Sequence, residues 1–149
     1  MGRRYSADGD QNAAANNSVL GLTSATTIRP KMYDLIFGSA ATPADQAFNM
    51  KVGRYTAAGT ATAVTPYPLD PGDPNAITTA GENHTVEPTY TAGQDMLVFS
   101  INQQATFRWV VPPEEGIVMP ASAANGLGLY FAVVSGGTAL CQATMMIEE

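Results

Sequence analysis

Residues able to do nucleophilic or acid–base chemistry are few in this chain. His84 is the only histidine and Cys141 the only cysteine among 149 residues. A nucleophilic site needs a base within hydrogen-bond reach of the nucleophile, and no local signature surrounds either residue. The pattern favours His84 as a surface loop residue and Cys141 as a small buried hydrophobe. We therefore expect no catalytic residue and no enzyme activity.

Metal ligation has equally little support in the sequence. The stretch from Asp8 to Asn12 begins like a calcium loop, but Ala13 stands where the loop needs glycine and Val19 where it needs a bidentate glutamate. One histidine and one cysteine are too few for the usual zinc ligand sets. Four acids in loops stay open as cation ligands: Asp70, Asp73, Glu114 and Glu115. Turn chemistry explains the two aspartates equally well, so we expect no metal and no cofactor.

Composition indicates a globular chain with a sparsely charged surface. Charged residues make up 13% and hydrophobic residues 45% of the chain, against about 25% charged in an average domain. The net charge of −6 argues against nucleic acid as a partner. No apolar run approaches the ~18 residues of a membrane helix. The first ten residues lack the apolar core of a signal peptide.

The stretch 106–120 holds the only tryptophan and has a clear strand pattern. Phe107, Trp109 and Val111 alternate with polar or smaller neighbours, which predicts a strand with one buried face. The segment 112–116 then stops the strand with two prolines and a glycine. A second β run, 117–119, follows, so the stretch predicts a hairpin with a long loop.

Further β runs occur along the chain at regular turn spacing. Segment 32–37 is apolar at nearly every position, as in a central strand, and 96–101 alternates. Segments 127–133 and 141–147 alternate around Ser135–Thr138, which predicts a final two-residue hairpin. Eight to ten strands without helical periodicity predict an all-β fold, an antiparallel sandwich with a jelly roll as the expected topology. The expected core contains Phe99, Phe107, Trp109, Leu129 and Phe131.

The N-terminal segment 1–22 differs from the rest in composition. It is small and polar, without strand period and with few large aliphatic residues. This pattern predicts an extended arm, disordered alone or ordered against a neighbour, followed by a sandwich domain at 23–149. Removing residues 1–22 should then leave the domain nearly as stable.

The run from Phe107 to Ala121, followed by Asn125–Leu129, resembles structural proteins of tailed bacteriophages. The run from Thr56 to Asp70 has the same character, and the resemblance covers residues 25–149. It implies a head decoration, or cement, protein, commonly a trimer of jelly-roll or sandwich domains with an extending arm. The implied site is the outer surface of the capsid in the virion, after synthesis in the host cytoplasm.

The resemblance also implies partners and contacts. The partners are the major capsid protein and further copies of the chain as a homotrimer, without nucleic acid or membrane. The arm is the expected contact with the capsid or a neighbouring subunit, through Arg3, Arg4, Tyr5, Val19, Leu20 and Leu22. The alternative is a carbohydrate-binding or host-attachment module of a head fibre or tail. That module would use exposed loops and an aromatic stripe, Trp109, Tyr130 and Phe131.

Overall fold

The structure, a computed structural model, describes residues 2–136 and 138–149. Its regular elements in that range are twelve strands and one 3₁₀ turn, Pro113–Glu115. The strands are β1 (Arg4–Asn12), β2 (Ser18–Thr23), β3 (Lys31–Ala41), β4 (Ala47–Ala57), β5 (Thr60–Val64), β6 (Tyr67–Pro68), β7 (Thr79–Val86), β8 (Thr89–Asn102), β9 (Phe107–Val110), β10 (Ile117–Val118), β11 (Gly126–Val134) and β12 (Leu140–Glu148).

These strands form two antiparallel sheets that share one apolar core, which confirms the predicted all-β sandwich. Sheet I has the order β10-β3-β12-β1-β6, and β9 also pairs with β3. Sheet II has the order β5-β7-β2-β11-β4-β8. The finer jelly-roll topology is not established by this strand order and stays a prediction.

Period-two alternation places the core side chains. Leu127, Leu129 and Phe131 of β11 are fully buried, and β12 contributes its alternate residues from the opposite sheet. Phe37 and Phe48 pack edge-to-face on Phe131 with ring centroids 6.1 and 5.3 Å away. Such aromatic pairs contribute about 0.5–1.5 kcal/mol beyond the area they bury. This aromatic contact therefore ties the two sheets together.

The predicted core residues divide into two groups. Leu129 and Phe131 lie on a central strand and are fully buried, as predicted. Phe99, Phe107 and Trp109 pack against the core but are only partly buried. They lie on the outermost strands β8 and β9, where no further strand covers them. Phe99 and Phe107 stack with ring centroids 3.8 Å apart and close this side of the sandwich.

The predicted hairpin around the tryptophan is wrong. Strands β9 and β10 do not pair with each other, because both run antiparallel along β3. The amide of Val111 donates to the carbonyl of Tyr33 at 2.9 Å and the amide of Met119 to Pro30 at 2.8 Å. The prolines and the 3₁₀ turn bulge out between these contacts, so the chain keeps its direction. The stretch is one interrupted edge strand.

The predicted final hairpin is also wrong. Strand β11 lies in sheet II, whereas β12 lies in sheet I between β3 and β1. Gly137, within the expected turn, lies outside the described residues. Both strands present one apolar face, and the two faces meet across the core. Alternation alone cannot distinguish such facing strands from hairpin partners.

The N-terminal arm is the largest correction. Strand β1 lies between β12 and β6, and β2 lies between β7 and β11. Tyr5 is 1% exposed, and Val19, Leu20 and Leu22 are completely buried. The predicted boundary between residues 22 and 23 therefore falls inside β2. Segment 2–22 belongs to the sandwich domain.

Small residues allow β1 to approach the opposite sheet closely. Its inward positions include Ala7 and Gly9, and Ala13 follows the strand. A Cβ placed on Gly9 would lie 3.1 Å from Leu20 Cδ1 and 3.0 Å from Glu82 Cβ. The space is already filled by side chains from other strands. The scarcity of large apolar residues thus reflects tight packing rather than an arm.

Deleting residues 1–22 should abolish cooperative folding, because one strand is lost from the interior of each sheet. Tyr5→Ala should lower the free energy of unfolding by about 3–5 kcal/mol, as for other buried aromatic truncations. Exposed Ala15→Ser is the control and should change it by less than about 0.5 kcal/mol. Far-ultraviolet circular dichroism and thermal melts provide the measurement. A deletion variant that melts cooperatively at the wild-type temperature would contradict this architecture.

Candidate interaction surface

The six residues predicted as arm contacts do not form one surface. Tyr5, Val19, Leu20 and Leu22 are buried and cannot touch a partner. Arg3 and Arg4 remain accessible, with 59% and 39% of their side chains exposed. Both arginines lie beside the loop 66–78, which we call the proline loop. The accessible part of the predicted contact therefore belongs to a loop surface.

The proline loop joins β5 to β7 and is held in place by hydrogen bonds. Its strand β6 pairs with β1, and the Leu69 amide donates to the Arg4 carbonyl at 2.8 Å. At its other end, the Ile77 and Thr78 amides donate to the Glu149 carboxylate at 3.0 and 2.6 Å. Charge-assisted bonds of this kind are stronger than neutral ones. The loop is consequently an ordered part of the surface.

Three large apolar side chains of this loop are exposed. Tyr67 is 66%, Leu69 49% and Ile77 51% exposed. Arg3 lines one cavity together with Leu69 and a second together with Ile77. Large apolar side chains exposed on one ordered loop are a candidate for an interaction site, and tyrosine and arginine are enriched at interfaces. We define Arg3, Tyr67, Leu69 and Ile77 as the proline-loop patch, the candidate interaction surface.

A second feature, the tyrosine cluster, lies on the outer face of sheet II. It consists of Tyr55, Tyr90 and Tyr130. The rings of Tyr90 and Tyr130 stack with centroids 4.1 Å apart, and Tyr55 meets Tyr90 edge-on at 6.0 Å. The hydroxyl of Tyr90 bonds Ser18 Oγ at 2.8 Å, and that of Tyr55 bonds Thr23 Oγ1 at 2.8 Å. The cluster forms a small packed layer outside the main core.

A row of glycines under the tyrosines makes this layer possible. Gly81, Gly21, Gly128 and Gly53 are register neighbours on four adjacent strands. A Cβ on Gly53 would lie 3.1 Å from both Tyr90 and Tyr130, and one on Gly128 would collide with the Tyr90 hydroxyl. Glycine in a strand interior often marks a close approach of this kind. The rings occupy the space that side chains would take.

Charges at one side of the cluster reinforce it. The hydroxyl of Tyr130 donates to Asp95 Oδ1 at 3.0 Å, and Lys51 Nζ donates to Asp95 Oδ2 at 2.8 Å. Burial and the neighbouring Asp95 carboxylate raise the pKa of Tyr130 to about 12. Burial raises the pKa of Tyr55 and Tyr90 as well. These phenols stay neutral near pH 7 and serve packing and hydrogen bonding.

The two residues weighed for nucleophilic chemistry lie on different sheets. Cys141 is buried in the core side of sheet I, and burial raises the pKa of its thiol to about 11. His84 lies on β7 of sheet II and is close to Gly21 of β2. A Cβ atom added to Gly21 would lie 3.5 Å from Nε2 of His84. Burial lowers the pKa of His84. Within the described ranges, no group of three or more His, Cys, Asp or Glu side chains is arranged to hold a metal ion.

The proposed aromatic stripe for sugar binding is not assembled. Phe131 lies in the core, Tyr130 faces outward on the same strand, and Trp109 is in the other sheet. Sequence reasoning missed the tyrosine cluster altogether. One signal was available, because Gly126 and Gly128 alternate with leucines in a strand. That alternation indicates a sheet face approached closely by something else.

No protein-family model, no curated protein sequence and no solved structure matches this chain. Within residues 2–136 and 138–149, no helix combines the length and apolar character needed to span a membrane.

Gly128→Ala should destabilise the fold by about 1–3 kcal/mol, the usual range for overpacking. The added methyl group would displace the Tyr90 hydroxyl and break its bond to Ser18. Gly72→Ala is the matched control, since its Cβ would meet only Asp70 Oδ1 at 3.3 Å. Urea unfolding gives both free energies. Equal stability of the two variants would refute the close packing of ring on glycine.

Stability should fall as pH rises through the interval from about 10 to about 12. The unfolded chain releases tyrosine protons near 10.0, whereas folded Tyr130 holds its proton to about 12. Stability from this group is therefore complete below pH 10 and is lost through the folded pKa. The raised pKa of Tyr130 is tested by following tyrosinate absorbance with pH in native and urea-unfolded protein. The Tyr130→Phe variant is the control. Coincident titration curves would contradict it.

Proposed function

We propose that the protein is a structural protein of a tailed-bacteriophage virion. In this role it binds the outer surface of the head as a decoration, or cement, protein and stabilises it. Its partners are the major capsid protein and other copies of itself in a homotrimer. The observation that supports the proposal best is the proline-loop patch on a rigid all-β domain.

The patch has the properties of a binding surface that is ordered in advance. Hydrogen bonds to the Arg4 carbonyl and the Glu149 carboxylate hold both ends of the loop. Ordering a loop on binding costs affinity, and a loop already held avoids much of that cost. Tyr67 and Ile77 can bury apolar area, while Arg3 offers guanidinium donors beyond its contact with Asp73.

A cyclic trimer uses two different surfaces of each subunit, and if the proline-loop patch binds the capsid, both of these surfaces must lie elsewhere. Strand β8 offers one at the other side of the molecule, since it is the outermost strand of sheet II. Val98 is 60% and Met96 36% exposed on it. An exposed edge strand presents unpaired backbone groups to another chain. Contacts between subunits at β8 would leave the proline-loop patch free for the capsid.

Capsid binding tests the role of the patch. We expect the triple variant Tyr67→Ser, Leu69→Ser, Ile77→Ser to bind capsids lacking this protein about tenfold or more weakly, as for loss of interface anchors. The matched control is Val86→Ser, Val110→Ser, Val133→Ser. Those valines are 59%, 54% and 54% exposed elsewhere on the surface. Quantitative co-sedimentation with purified capsids supplies the affinities.

Two results would overturn this assignment. Equal affinity of the patch variant and wild type would remove the patch from the interface. Failure of wild-type protein to bind capsids, together with binding to host glycans on an array, would favour a host-attachment module. Sedimentation equilibrium of the capsid-bound species after release tests the trimer, and a monomer there would contradict it.

A further inference from the structure

A cavity of about 490 Å³ opens where the two sheets end. Arg54 of β4 in sheet II donates Nη1 to the carbonyl of Val118 of β10 in sheet I at 2.8 Å. Its side chain thus spans the gap between the sheets. Arg29, from the segment between β2 and β3, lines the same cavity. Two arginines therefore line one cavity.

Neither arginine is neutralised by the protein. Among the described residues, Arg29 and Arg54 form no ion pair, and the cavity lining contains no Asp or Glu. The other arginines and one lysine are paired, in Arg3–Asp73, Arg4–Glu148, Lys51–Asp95 and Arg108–Asp34. In a chain of net charge −6, two uncompensated arginines at one cavity form a local excess of positive charge.

A second cavity shows the contrast. It measures about 520 Å³ and is also lined by two arginines, Arg3 and Arg4. There, Asp70 and Asp73 belong to the same lining, and each arginine has a carboxylate partner. The protein thus supplies carboxylates to one pair of arginines and none to the other. The first cavity therefore combines two arginines with a lining that contains no carboxylate.

The rest of the lining suits such a group. The lining also contains four side chains that can form hydrogen bonds: Asn125, Gln94, Thr56 and Thr91. A guanidinium has five donors, so Arg54 keeps most of them after its bond to Val118. Arginine binds carboxylates through paired, charge-assisted bonds. The volume lies within the range of about 300–1,000 Å³ that is typical of ligand pockets.

We propose that this cavity binds a carboxylate, clamped between Arg29 and Arg54. The carboxylate can come from an acidic side chain of a docked protein or from a free small acid, because both present the same chemistry. This site shares no lining residue with the two cavities of the proline-loop patch, and it does not depend on the virion role.

A titration followed by amide resonances tests the proposal at constant ionic strength, with chloride as the balancing ion. The probes are glutarate as a free acid, a blocked Gly-Glu-Gly peptide as a protein-borne carboxylate, and inorganic phosphate as a competing oxyanion. We expect one of the two carboxylates to shift the amides of Thr56, Asn125 and Gly126. The tighter of the two identifies the source.

Variants identify the groups responsible. Arg29→Gln should raise the dissociation constant about tenfold, and the double variant with Arg54→Gln should abolish binding. Arg3→Gln makes the same charge change at the compensated cavity and should alter it by less than about twofold. If the Arg54 variant misfolds, Arg29→Gln alone decides, because Arg29 is exposed. Absent shifts, tighter binding of phosphate than of either carboxylate, or equal loss in Arg3→Gln would each overturn the proposal.

Discussion

Both sheets depend on strands supplied by the first 23 residues. Strand β1 fills the place between β12 and β6, and β2 the place between β7 and β11. The pairing continues to the chain ends, where Arg3 and Glu149 exchange backbone hydrogen bonds of 3.0 and 2.9 Å. Pairing between residues far apart in sequence forms slowly, because the intervening chain must first lose conformational entropy. Once formed, it connects both ends of the chain to one core. The N-terminal strands β1 and β2 therefore complete the two sheets.

This constraint bears on the proposed attachment. Because β1 and β2 are held in the two sheets, residues 4–12 and 18–23 are not a free arm, and the proposed contacts are assigned to the folded surface. The same strand β1 supports the candidate surface, because its edge pairs with β6 and its first residues lie beside the proline loop. In the proposed role, attachment and stability would thus both depend on β1. The carboxylate cavity depends in turn on Arg54 reaching from one sheet to the other.

The sequence predicts strands well where alternation is strong and predicts their partners poorly. Leu129 and Phe131 lie on the expected buried face of β11. Strand β1 was not predicted because several of its inward positions are small. Its partner β12 is also distant in sequence, since the paired residues range from Asn12 and Leu140 to Arg4 and Glu148. Both hairpin predictions are wrong because alternation indicates which face of a strand is buried. It does not indicate which other strand pairs with it. The exposure of the apolar side chains in the proline loop depends on how the folded chain packs. A local sequence pattern does not predict that packing.

Native-state hydrogen exchange of the N-terminal amides tests the central claim most directly. If β1 and β2 are interior strands, their paired amides open only with global unfolding and belong to the slowest-exchanging class. We therefore expect the amides within 5–11 and 19–22 that are paired with a neighbouring strand to match those of the central strands β11 and β12 in opening free energy. Exchange of these N-terminal amides within seconds, while β11 and β12 stay protected, would contradict the account and restore a free arm.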